Sequence, residues 1–117
     1  MTQNPNLVRG TLDLLILKSL TWGPLHGYGV SEWIEQVTDG SVLAEEGTLY
    51  PALHRLHDKG YVESEWGLSE NNRRAKYYGL TREGERHLEA EAASWAAYSR
   101  AVARALAVES PLGDAGA

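Results

Sequence analysis

The chain contains no cysteine, which excludes disulfides, thiolate metal sites and cysteine nucleophiles. It is also short of positive charge: 11 Lys and Arg stand against 16 Asp and Glu, a formal net charge of −5. Averaged over the surface, that sign argues against a polyanion such as DNA as partner. Binding, however, concerns one face and not the mean. No apolar run is long enough to span a bilayer, since the longest, Leu12 to Leu20, is broken by Asp13 and Lys18. The first six residues, Met1 to Asn6, lack the basic stretch of a signal peptide. A soluble, cytoplasmic protein without a membrane partner is expected. Apolar residues make up 43% and charged residues 23% of 117 residues, which suffices for the core of one domain.

Helical spacing is visible in Leu12, Leu15, Ile16 and Leu20, with Leu14 and Leu17 widening the apolar face. Thr11 is the expected cap, and Gly23-Pro24 the stop. A second helix is expected to start near His26 or Gly27, to carry Tyr28, Val30, Trp33, Ile34 and Val37, and to end at Asp39-Gly40. A third follows Glu45-Glu46 and closes on Gly60. Pro51 places its start near Gly47 or Thr48, because proline is tolerated in the first turn. Leu49, Leu53 and Leu56 form its buried stripe.

Val62 to Trp66 and Lys76 to Leu80 read as two short strands around a polar loop, a hairpin that needs helices to pack on. Thr81 caps a last helix with Glu83 and Glu85 in its first turn. Along that helix Leu88, Ala92, Trp95, Ser99, Val102 and Leu106 step by four and three, a seam with nothing after it to cover it. The seam predicts a homodimer. The tail from 108 to 117 has no periodicity and reads as disordered.

Three helices followed by a hairpin is the order of a winged helix-turn-helix: mainly α, with a small β-hairpin, over residues 7–80, followed by a long dimerisation helix over 81–107. In that motif the third helix enters the major groove and the hairpin reaches the neighbouring backbone. The chemistry fits residue by residue. Thr48, Tyr50, Pro51 and His54 give the third helix a short polar face, and Arg73, Arg74 and Lys76 supply cations on the wing. Double-stranded DNA is the expected partner, read by a sequence-specific regulator.

The same residues resemble the PadR family of bacterial transcriptional regulators. The resemblance is carried by Leu12-Asp13-Leu14-Leu15-Ile16-Leu17, by His26-Gly27-Tyr28-Gly29, and by the block from Gly47 through Thr48-Leu49-Tyr50-Pro51 to Leu56. It continues through Arg73-Arg74-Ala75-Lys76-Tyr77-Tyr78-Gly79-Leu80-Thr81, and covers roughly residues 7 to 106. It implies a winged-helix dimer that represses a promoter through an inverted repeat, often relieved by a small aromatic or cationic effector. Carried over by position, it assigns Thr48, Tyr50, Pro51, His54 and Arg55 to recognition and Arg74 and Lys76 to phosphates. Arg55 is the expected base reader, since arginine can donate two hydrogen bonds to guanine.

Arg55 and Lys59 also fit a solvated helix face, Tyr50 a contact with the second helix, and the wing cations an ordinary charged loop. His54, His57 and Asp58 offer no fourth ligand for a structural zinc, so no metal or cofactor is expected. Gly27-Tyr28-Gly29 follows no strand and lacks the third glycine of a dinucleotide loop. Ser, His and Asp share no local catalytic signature, so an enzyme is not expected. Trp95 reads first as dimer core; with Tyr98 nearby, it also suggests a pocket at the dimer interface that stacks flat ligands. Trp22, Trp33 and Trp66 read as core residues. The alternative function is a winged-helix protein–protein module without DNA binding, which the net acidity favours.

Overall fold

The computed structural model describes residues 5–111, with side chains from Gly10 onward. In chain order the elements are α1 (Pro5–Ser19), β1 (Leu25–His26), α2 (Gly27–Val37), α3 (Glu46–Asp58), β2 (Val62–Leu68), β3 (Arg74–Leu80) and α4 (Arg82–Ala107). This is the expected mainly α fold with a small wing. The part of the expected tail from 112 to 117 lies outside the described residues.

One core holds the three short helices together. Leu12, Ile16, Leu17 and Leu20 of α1 meet Val30 and Ile34 of α2 and Leu49, Ala52, Leu53 and Leu56 of α3, with Val62 of β2 closing the base. The predicted stripe of α3 is thus its buried face. Two helix ends follow from local chemistry. After α3, Gly60 takes a φ of +81°, so that its N–H bonds His57 O at 3.0 Å and the N–H of Tyr61 bonds Leu56 O at 2.9 Å. This is the doubly bonded cap that a left-handed residue permits. After α2, Asp39 takes that role with φ of 53° and Gly40 N–H reaches Glu35 O at 2.8 Å.

Several expectations need correction. Helix α1 begins at Pro5, so Thr11 lies inside it and does not cap it. Helix α3 begins at Glu46, which puts Pro51 in the second turn; its missing N–H leaves the Gly47 carbonyl without the usual donor four residues on. A third strand, β1, pairs antiparallel with β3 through Leu25↔Tyr78 and His26↔Tyr77, giving the sheet order β1-β3-β2. Of the three tryptophans expected in the core, only Trp33 packs against it. Trp22 covers the edge of Trp33, ring centroids 5.9 Å apart, and is itself 69% exposed. Trp66 is 58% exposed on the wing. Tyr28 and Val37, expected on the apolar face of α2, are exposed as well.

Helix α4 is anchored at its start, rests on α1 through Leu88 and its neighbours, and stands open toward its C-terminal end. The Thr81 hydroxyl accepts the N–H of Gly84 at 3.0 Å, as a capping threonine should, and donates to Gly60 O. Gly84 is buried, and a Cβ there would overlap the Tyr61 carbonyl oxygen. The absence of a side chain therefore allows α4 to dock against the turn after α3. The Tyr61 and His87 rings stack at 4.1 Å beside it. Farther on, Trp95, Val102 and Leu106 are all exposed. At 1.5 Å per residue, the 26 residues of α4 reach about 39 Å.

Candidate nucleic-acid interface

Burying Leu49, Leu53 and Leu56 turns the other side of α3 outward. Thr48, Tyr50, Pro51 and His54 are exposed there. His54 Nε2 lies 3.5 Å from Asp58 Oδ2 one turn on. Tyr50 is 44% exposed and packs its ring and hydroxyl against Gly27 of α2, where any Cβ would collide with it. It both braces the two helices and shows an edge to solvent.

Arg55 is placed differently from the other four. Its guanidinium Nη2 donates to Asp13 Oδ1 of α1 at 2.9 Å, with the two side chains 35% and 23% exposed. Within this chain Arg55 faces α1 at the edge of the core and not the outer face shared by Thr48 and His54.

The wing is built by the antiparallel pairing of β2 with β3, in which Trp66 stands opposite Lys76. Alternate residues share a face, so Ser64, Trp66 and Leu68 lie on one side with Tyr78, Lys76 and Arg74. The Arg74 guanidinium lies 4.4 Å and the Lys76 ammonium 5.7 Å from the Trp66 ring centroid, both within cation–π range. Glu63 and Glu65 occupy the opposite face. At the tip, Ser69 N–H bonds Arg73 O at 2.8 Å and Asn72 takes a φ of 60°, leaving Arg73 exposed.

Helix α3 and the wing meet in a cleft of about 500 Å³ lined by Tyr50, Trp66, Arg74, Lys76, Tyr28 and His26, among others. Of the expected interface residues, Tyr50, Arg74 and Lys76 thus share one cleft. Sequence reasoning missed three of its walls. Trp66 and Tyr28 read from sequence as apolar packing; period-two alternation places Trp66 on a face but does not say whether anything covers that face. His26 caps α2, its Nδ1 accepting the N–H of Gly29 at 3.0 Å while Nε2 lies 3.7 Å from Glu70 of the wing loop. Tyr78 lies deeper, and burial, then the neighbouring Tyr50, pushes its phenol above the usual value. It stays neutral at physiological pH and offers the cleft a hydroxyl, not a charge.

Trp95 and Tyr98 lie far from this cleft in sequence and on another helix. They line a separate hollow of about 480 Å³ with Gly10, Thr11 and Leu14 of α1. Both ring systems are open to solvent, Trp95 by 42% and Tyr98 by 65%.

Comparison with known proteins follows the same outline. A model of the transcriptional regulator PadR-like family matches residues 16–90. An uncharacterized protein of Lysinibacillus sphaericus is 32% identical over 91 residues, which is 78% of this chain and 84% of the other. Among solved structures, a transcriptional regulator from Clostridium thermocellum superposes with a TM-score of 0.77 at 32% identity, covering 85% of this chain and 96% of its own. A PadR family transcriptional regulator from Eggerthella lenta gives a TM-score of 0.74 at 34% identity, with 89% and 88% covered. This chain belongs to the PadR-like family of transcriptional regulators.

Proposed function

We propose that the chain works in the cytoplasm as a homodimeric, sequence-specific DNA-binding repressor. The observation that carries the reading is the cleft between α3 and the wing. It joins Tyr50 of α3 to two cations held on one exposed tryptophan. In this reading Thr48, Tyr50, Pro51 and His54 meet base edges or the groove floor, while Arg73, Arg74 and Lys76 neutralise phosphates. Sequence alone marks Arg55 as the base reader; its pairing with Asp13 favours a different part in the same interface.

The dimer rests on the apolar seam of α4. Trp95, Tyr98, Val102 and Leu106 are 38% exposed or more, and a second copy of the same helix is the simplest cover for a self-complementary stripe. Two reading helices would then address half-sites one duplex turn apart, about 34–36 Å, on a pseudo-palindromic operator. The hollow at Trp95 and Tyr98 would, in the dimer, offer aromatic walls to a flat aromatic or cationic effector that releases the DNA.

Selection of duplexes from a random pool, at stated salt, tests the reading. Enrichment of a pseudo-palindrome supports it. A pool that stays random, together with no retention on heparin or DNA at low salt, overturns it in favour of a protein–protein module. For the effector, quenching of tryptophan fluorescence by planar phenols or cationic dyes should be lost in Trp95→Ala; equal quenching in the variant refutes that pocket.

A further inference from the structure

Arg55 lies between the exposed face of α3 and its buried stripe, three residues after Ala52 and directly before Leu56, both fully in the core. From there its guanidinium crosses to α1 and donates to Asp13 Oδ1 at 2.9 Å, a contact between residues 42 positions apart in sequence. Both partners are more than half shielded from water. A pair so placed is costly to break from one side, because the remaining charge is left partly desolvated without its counterpart. The planar guanidinium also fixes direction in a way that a lysine ammonium does not.

Resting on the DNA-binding reading above, we propose that Arg55 is a positioning residue and Asp13 its anchor. Together they set the rotation of the reading helix about its own axis against α1, and Arg55 reads no base. The buried stripe and the Tyr50–Gly27 contact seat the helix; apolar contacts are non-directional, and the ion pair adds a directional tie to α1. The required accuracy is high. A side-chain tip lies about 5–6 Å from a helix axis, so a 20° roll moves it by about 2 Å, several times the roughly 0.5 Å spread of hydrogen-bond distances. Thr48, Tyr50 and His54 would all lose register together. A base-reading Arg55, by contrast, would first have to leave Asp13.

The test uses the full chain and a duplex selected by the wild-type protein, beside a scrambled duplex of equal composition, with binding read by fluorescence anisotropy. Asp13→Asn is the informative variant. It removes a negative charge, which by itself tightens binding to DNA. We expect it to weaken binding to the selected duplex about tenfold while the scrambled duplex binds no more weakly than before. Arg55→Lys should show a similar loss of selectivity. The exchange of Asp13→Arg with Arg55→Asp should recover binding to within about threefold, and circular dichroism should show native helix content throughout. Base-pair substitutions across the operator should then cost each single variant evenly less discrimination, spread over several positions. Two results overturn the proposal: Asp13→Asn binding as tightly and selectively as wild type, or Arg55→Lys losing discrimination at one base pair only while the exchanged pair fails to recover it. The second would make Arg55 a base reader. A wild-type protein that selects no duplex at all removes the DNA-binding reading itself, an outcome distinct from both.

Discussion

Replacing Arg74 and Lys76 together with Ala should change how binding responds to salt more than it changes the fold. Both side chains are exposed on the wing and rest on Trp66 at 4.4 and 5.7 Å; neither packs into the core. Each phosphate contact releases condensed counterions and contributes about 0.9 to the slope of log affinity against log salt. Two contacts contribute about 1.8. Between about 50 and 200 mM salt, a fourfold change, the wild type should therefore lose about tenfold more affinity than the double variant. Trp66→Ala provides the control. It keeps both charges and hence the slope, and removes only the orienting ring, worth about 0.5–1 kcal/mol per exposed cation. Its loss should be severalfold at every salt concentration. The assay is an anisotropy titration of a labelled duplex at four or more salt concentrations. An unchanged slope in the double variant would refute the phosphate assignment, and with it the argument that the Trp66 face of the wing is the one that meets DNA.

Gly84→Ala should destabilise, against the usual gain of about 1 kcal/mol for removing a helical glycine. The added methyl would overlap the Tyr61 carbonyl, which also accepts the Thr81 N–H at 3.1 Å and cannot simply turn away. Overpacking of that kind costs about 1–3 kcal/mol, so thermal unfolding should move down by several degrees; an unchanged or raised midpoint contradicts the close approach. Val102→Asp with Leu106→Asp should reduce the mass seen by light scattering to that of one chain, 12.9 kDa; a dimer mass retained at micromolar concentration would rule out the α4 seam as the interface. Tyr78 titrates above the usual phenol value because of burial first and Tyr50 second. A raised pKa in the folded state means its contribution is intact below about pH 10 and lost as pH rises through the folded value. Urea midpoints should fall in that alkaline range for wild type and fall less for Tyr78→Phe; parallel curves would exclude Tyr78 as the source.

What the sequence disclosed depended on the range over which each feature acts. The buried stripe of α3, the threonine cap of α4, the glycine turn at Gly60 and the alternation of the wing all repeat or end within a few residues, so periodicity and capping chemistry expose them. Strand β1 has only two residues, too few for any period, and is held by β3 from more than fifty positions away. Trp66 and Trp22 are large and apolar, which usually means burial, but no local pattern says that the helices leave those faces uncovered. Arg55 shows the limit most clearly. A cation on a reading helix, next to Leu56 and one residue from His54, has every local mark of a groove contact. Its partner Asp13 belongs to the stretch that looked like a broken apolar run. Only the crossing of α1 over α3 brings them together.

The same crossing of elements resolves the objection raised by the net charge. On the strands of the wing the two signs are separated by the pleat: Glu63 and Glu65 point one way, and Arg74 and Lys76 the other, both over Trp66; Glu70 of the wing loop borders the cleft beside His26. Glu32 and Glu35 lie on α2, and Glu89 and Glu91 on α4, where Glu91 borders the Trp95 hollow and Glu89 a neighbouring groove against α1. A hairpin so divided can approach a polyanion by one face only, since turning it over would press two carboxylates against phosphates. Charges beyond a Debye length of about 8 Å are largely screened at physiological salt, so distant acids weaken the general attraction without cancelling contacts made at the cleft. A dimer of such chains would carry a formal charge of −10, twice the −5 of one chain. That balance disfavours loose binding to arbitrary DNA, where only charge counts, more than tight binding at a site where the reading helix also finds its partners. The acidic excess therefore acts as a selectivity term: it lowers the background against which a few well-placed cations and one correctly rotated helix have to be recognised.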